Sequence, residues 1–188
     1  MFGGLIALAG AVLLWPSSGL DRLRVDLADA VVENGRFAAL SCDPAGHDAA
    51  TLDAARRAAG LASNKAEGSQ HRAVLETWWR RKDLEAAAAV LAVLRRLAGT
   101  ATTLWLERDR PRGDQGLISA WCEQATARLA DTLRDPCPPP LLAPLSAADQ
   151  SHPLVEEVVD LYSAASTLSV SVKQDRRRIL MVHSAGVG

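Results

Sequence analysis

Aromatic residues are scarce in this chain, at 4% of 188 positions. Runs of β-branched residues are missing as well. Both absences argue against a β-protein, whose pleated faces draw on those residue types. The formal net charge is only -1, with 21 Lys and Arg against 22 Asp and Glu. No overall field of that size would steer a polyanion, so nucleic acid is not an expected partner. The three cysteines, Cys42, Cys122 and Cys137, are an odd and widely spaced set. They do not form a disulfide framework, and with His47, His71, His152 and His183 they make no zinc spacing. The phosphate-loop, dinucleotide, metalloprotease and serine-elbow patterns are all missing. No enzyme activity, metal or cofactor is therefore expected.

What the chain does have is Ala, Leu and helical periodicity. Residues 1–15, M-F-G-G-L-I-A-L-A-G-A-V-L-L-W, carry no charge. As a helix they reach about 22 Å, short of a bilayer core of about 30 Å. They read as the last part of a transmembrane helix whose beginning lies outside this chain. Trp15 suits the interface, Pro16 ends the helix, and Arg22 with Arg24 puts the exit on the cytoplasmic side.

Helical spacing then predicts a helix from Ser17 or Ser18 to about Cys42, with Leu20, Leu23, Leu27, Ala30, Val31, Phe37 and Leu40 on its apolar face. A second is predicted from Ala49 to Trp79, capped by Asp48 or Thr51. A third is predicted from Asp83 to about Arg108 and a fourth from Leu117 to Arg134. The run Asp135-Pro136-Cys137-Pro138-Pro139-Pro140 stops the fourth, and a semi-rigid linker follows. The last helix opens at Ser151–Pro153 and frays from Ile179. Expected is an all-α protein, an antiparallel bundle of about five long helices preceded by the end of a transmembrane helix. Its divisions are residues 1–16, a bundle over 17–134, a linker over 135–150, and a C-terminal helix and tail over 151–188.

Within the second helix Arg57, Asn64, Glu67 and His71 share one stripe. Gly60 and Gly68 cost about 1 kcal/mol each against Ala; they are tolerated where a neighbouring helix backbone comes close, or else leave a weaker, more flexible helix. Arg95 and Arg96 interrupt an apolar run in the third helix and need partners. If the two helices turn back on each other at residues 80–82, Glu67 and Asn64 come into register with them. The expectation is a buried polar clamp between two helices. Trp78–Trp79 with Arg80–Arg81–Lys82 fit a solvated turn between the helices, or else a lipid headgroup surface.

The stretch A-A-R-R-A-A-G-L-A-S-N-K-A-E-G-S-Q-H-R at 54–72 resembles a motif of the fusaric acid resistance family of bacterial inner-membrane proteins, which includes aromatic-acid exporters. The matching residues are Arg56, Arg57, Gly60, Ala62, Asn64, Glu67, Ser69, Gln70 and Arg72. Lys65 is inserted, Gly68 replaces an alanine, and His71 is inserted before Arg72. The run at 84–99 resembles the segment that follows in the family, and the opening G-G-L-I-A-L-A-G-A-V-L-L-W-P resembles the end of its last transmembrane helix. Together the likeness spans about residues 3–105. It implies the cytoplasmic helical part of an inner-membrane efflux protein for organic acids, a truncated chain unable to transport alone. The motif set carried over is Arg56, Arg57, Asn64, Glu67, Ser69 and Arg72, with Arg95 and Arg96 added as their expected partners. Implied partners are the lipid bilayer, the rest of the transporter or a second copy of the chain, and a periplasmic adaptor through the full-length protein. The competing class is a stand-alone membrane-tethered interaction module without transport.

Overall fold

The computed structural model describes residues 18–43, 47–76, 80–107, 115–135 and 141–185, with side chains to Ser169. The apolar opening 1–15, Trp78–Trp79, the prolines at 136–140 and the Arg108–Arg112 cluster lie outside the described residues. All regular structure among the described residues is helical. The helices are α1 (Ser18–Cys42), α2 (Ala49–Glu76), α3 (Arg81–Leu106), α4 (Gln115–Arg134), α5 (Ala147–Gln150) and α6 (Pro153–Ala185).

Four of these form a ring: α1 packs on α4, α4 on α6, α6 on α3, and α3 on α1. Helix α2 lies outside the ring, against α1 and α3. Paired contacts fix the directions. Asp26 and Asn34 of α1 meet Ser69 and Ser63 of α2, and Arg95 and Trp105 of α3 meet Glu67 and Arg56 of α2, so α2 runs against both. Asp29 and Gly35 of α1 meet Arg134 and Thr126 of α4, while Arg96 of α3 meets Glu157 of α6 and Asp83 lies by Leu168. Helices α1 and α3 thus run one way, and α2, α4 and α6 the other.

Position explains α1's composition. It touches α2, α3 and α4, so most of its circumference is buried. Leu23, Leu27, Val31 and Phe37 fill the core, but Asp26, Asn34 and Ser41 are buried with them. Where α1 meets α4 the two approach so closely that a side chain is excluded. A Cβ on Gly35 would lie 2.5 Å from Cβ of Thr126.

Helix α2 approaches with small residues. Leu52, Ala55, Ala59, Ala66, Ser69 and Ala73 are buried, mostly at steps of three and four, which is one helical stripe. Asp48 caps it: Thr51 N donates to Asp48 Oδ1 at 2.7 Å. The two α2 glycines do not mark the close approach expected of them. Among the described residues, a Cβ on Gly60 would meet nothing within 4 Å, and one on Gly68 only the Arg72 guanidinium at 3.8 Å.

Helix α3 is the one helix among the described residues long and apolar enough to cross a membrane. Its apolar face is occupied inside the bundle, where Val90, Leu94, Leu97 and Ala101 are buried. Helix α4 buries Ile118, Trp121, Ala125, Leu129 and Leu133, whereas Leu117 is exposed.

From Leu141 onward the linker is tied to the bundle. Trp121 Nε1 donates to the carbonyl of Ala143 at 2.9 Å, tying the returning chain to α4. Ser146 caps the short α5 by accepting from Asp149 N. Helix α6 starts at Pro153, with Leu154 N donating to His152 Nδ1 at 3.3 Å. It buries Leu154, Val158, Leu161, Ala165 and Leu168 in the ring, so it belongs to the bundle core. Its backbone stays helical to Ala185, past the fraying expected at Ile179.

Candidate functional site

The polar chemistry of this chain collects where α2 meets its neighbours. It starts from Asp26, which helical spacing puts on the α2 side of α1. The carboxylate side chain is only 3% exposed and needs partners. Lys65 reaches over from α2, its Nζ 2.8 Å from Asp26 Oδ1 and 3.3 Å from Asp29 Oδ2. The Ser69 hydroxyl donates to Asp26 Oδ2. Arg72 Nη2 in turn donates to Ser69 Oγ at 2.8 Å. Asp29 also accepts from Arg134 Nη2 at 3.1 Å, which brings α4 into the chain of contacts.

Burial alone would raise the Asp26 pKa. The hydrogen bonds from Lys65 and Ser69, with the charges of Lys65 and Arg22, outweigh it and hold the carboxyl below its ordinary range. Hydrogen bonds to Asp26 and Asp29 raise Lys65 correspondingly. Two turns further along α1, Asn34 Nδ2 donates to Ala30 O at 2.8 Å and to Ser63 Oγ at 2.9 Å. These bonds fix the depth and register at which the small-residue face of α2 docks, since slipping by one turn strands Asp26 and Asn34 unpaired.

The expected motif residues divide into three groups. Glu67 and Arg95 do meet: Nη2 and Nε of Arg95 donate to Glu67 Oε1 at 2.7 and 3.0 Å. The pair is not the buried clamp anticipated, because its side chains are 63% and 32% exposed for Arg95 and Glu67. Ser69 and Arg72 join the Asp26 cluster. The rest go elsewhere. Arg96 leaves α2 altogether and bridges Glu157, at 3.0 Å, and Asp160 on α6. Arg56 and Arg57 both contact Asp53 on their own helix, at 3.4 and 3.2 Å, and Arg56 lies 6.0 Å from the Trp105 ring. Asn64 is exposed.

No protein-family model, curated protein or solved structure matches this chain.

Asp26, Asp29, Asn34 and Lys65 were not among the expected residues. Lys65 read as an intrusion into the motif, yet it supplies the cation that Asp26 requires. A signal was present: Asp26 and Asn34 sit among Leu23, Leu27, Ala30 and Val31, on a helix with too many apolar faces to leave them all wet. Among the described residues no group of His, Cys, Asp and Glu is arranged to hold a metal ion. Chemically the seam pairs charges and hydroxyls; where the Ser69 hydroxyl meets the Asp26 carboxylate, both are buried between α1 and α2.

Proposed function

We propose that this chain is a membrane-attached helical domain of an efflux-type inner-membrane protein for organic acids, with a structural role in assembling or regulating the transporter. The observation that carries the reading is the composition of one end of the bundle. Leu20, Arg24, Arg80, Asp83 and Leu168 line a common small cavity there. The chain before Ser18, with its uncharged stretch 1–15, therefore joins the bundle at the end that also holds Arg80, Arg81 and Lys82. Helix α6 continues from Leu168 to Ala185 at that end, about 25 Å of further helix, with Arg176–Arg177–Arg178 along it. Basic residues gathered beside a membrane exit suit a cytoplasmic headgroup surface. The likeness of residues 54–72 to the fusaric acid resistance motif supplies the transporter part of the reading.

In this role α2 and its polar seam set how the helices of the domain dock, and the permeation path belongs to membrane-spanning segments outside this chain. The test is complementation in a bacterial strain made sensitive to aromatic acids. Co-expression of this chain with the membrane-spanning segments encoded beside it should restore tolerance, and this chain alone should not. Full restoration without the chain, or no membrane-spanning segments encoded upstream or adjacent, would remove the transporter reading and leave a tethered interaction module.

A further inference from the structure

The outward face of α2 has a repeat that the bundle does not use. Leu61 and Leu75 are 72% and 82% exposed. With Gly68 midway, they recur every seven residues. Arg57, Asn64 and His71, all exposed, recur every seven residues in the alternate steps. Steps of four and three over the whole stripe make the pattern of a helix that pairs with another helix. The stripe lies opposite the buried small-residue face. The two interior glycines favour the same conclusion. Each costs helix stability, and among the described residues no other helix's backbone lies within 4 Å of either Cβ position.

We propose that this stripe of α2 is a homodimer seam, pairing in parallel with α2 of a second copy of the chain. The inference stands on α2 itself and goes beyond the membrane reading. Charge decides the occupant and its direction. The stripe is flanked by Glu67 on the α3 side and by Lys65 and Arg72 on the α1 side. A parallel two-fold pair sets Glu67 of each copy against Arg72 of the other, five residues on, so opposite charges meet twice. An antiparallel pair centred on Gly68 sets Glu67 beside Glu67 and Lys65 beside Arg72, so like charges meet.

The groups have capacity for this second contact. Both Arg95 bonds end on Oε1 of Glu67, which leaves Oε2 to accept. Arg72 gives one hydrogen bond to Ser69, of the five its guanidinium has. In the parallel arrangement each seam residue meets its own copy: Leu61 on Leu61, Leu75 on Leu75, and Gly68 on Gly68 where the backbones come closest. Asn64 meets Asn64, and an amide both donates and accepts, so it is its own complement. Arg57 meets Arg57 at the exposed end of the stripe, a like-charge contact that Asp53, shared with Arg56, offsets in part.

The full chain, held in nonionic detergent, tests this by sedimentation velocity and by disulfide cross-linking in a Cys137→Ser background, Cys42 and Cys122 being buried. Expected is a dimer mass that falls to monomer in the Leu61→Lys, Leu75→Lys double variant, with helix content unchanged because both positions are exposed in the single chain, and with a melting temperature that no longer rises with protein concentration. Leu61→Cys should cross-link to itself on mild oxidation. Glu67→Arg should cut that cross-linking at least tenfold, and adding Arg72→Glu should restore it. A monomer at every concentration would overturn the proposal. So would a dimer that survives the double lysine variant, which would place the contact elsewhere. Cross-linking only when Leu61→Cys is combined with Leu75→Cys would overturn the parallel direction.

Discussion

Replacing Gly35 by alanine should destabilise this bundle, although alanine is the better helix former. On an unhindered helix the exchange gains about 0.5–1 kcal/mol. Here the new Cβ would lie 2.0 Å from Oγ1, 2.5 Å from Cβ and 2.8 Å from Cγ2 of Thr126. Rotating the threonine moves Oγ1 and Cγ2, and breaks the bond from Oγ1 to the Cys122 carbonyl at 2.8 Å. It does not move Cβ, which is fixed to the α4 backbone. The helices must part by roughly 1 Å to reach ordinary contact, and overpacking of this kind costs about 1–3 kcal/mol and occasionally more. The net loss expected is about 1–2 kcal/mol. For a chain of this size that lowers the melting temperature by about 2–8 °C, read by circular dichroism. Thr126→Gly should rescue the variant and Thr126→Ala should not, because alanine keeps the offending Cβ. Gly99→Ala is the control: nothing lies within 4 Å of its Cβ position, so it should raise stability by about 0.5–1 kcal/mol. A Gly35→Ala chain as stable as the parent, or rescue by Thr126→Ala, would refute the α1–α4 geometry.

Three further outcomes follow from the polar seam and the thiols. Because the Asp26 pKa is lowered in the folded state, its contribution is present above the ordinary carboxylate pKa and is lost as pH falls through the lower folded value; Asp26→Asn should flatten the acid limb of urea stability measured between about pH 5 and pH 2. Glu67→Ala should cost only about 0.2–1 kcal/mol in denaturant melts, because the Arg95 pair is exposed, and a loss above about 2 kcal/mol would return it to the buried class. Burial pushes the Cys42 thiol up to about 12 and raises Cys122 as well, so neither should react with a disulfide reagent at pH 8 until the chain is unfolded, as thiol titration with and without urea will show.

The helices were legible in the sequence because apolar spacing and caps agree locally. Leu84, Val90, Leu94 and Leu97 mark one face of α3, and Asp48 and Pro153 mark two starts. The all-α class followed from the same pattern. Partnership was less legible. Glu67 with Arg95 could be found by counting back from the turn at 80–82, since a hairpin fixes register over equal arms. Arg96 could not, because its partners Glu157 and Asp160 arrive from a helix some sixty residues on, behind a proline linker whose path no local rule gives. The burial of Asp26 was hidden for a related reason. Its neighbours on α1 are buried by three different helices, so no single stripe announces which face is dry. The α2 glycines mark no close neighbour among the described residues, since a glycine's cost in helix stability says nothing of what lies beside it. The small residues that do approach closely are Ala59, Ala66, Ser69 and Ala73, on the opposite stripe.

We propose that residues 1–15 hold this helical bundle at a membrane surface, and flotation of the full chain with lipid vesicles at high salt tests this most directly. High salt screens the basic residues, so attachment that survives it comes from apolar insertion. The account predicts that the chain floats with the vesicles, that protease added outside releases the bundle, and that Leu13→Arg with Leu14→Arg leaves it in the soluble fraction still helical. A parent chain that stays at the bottom of the gradient, or an arginine variant that floats as well as the parent, would contradict it.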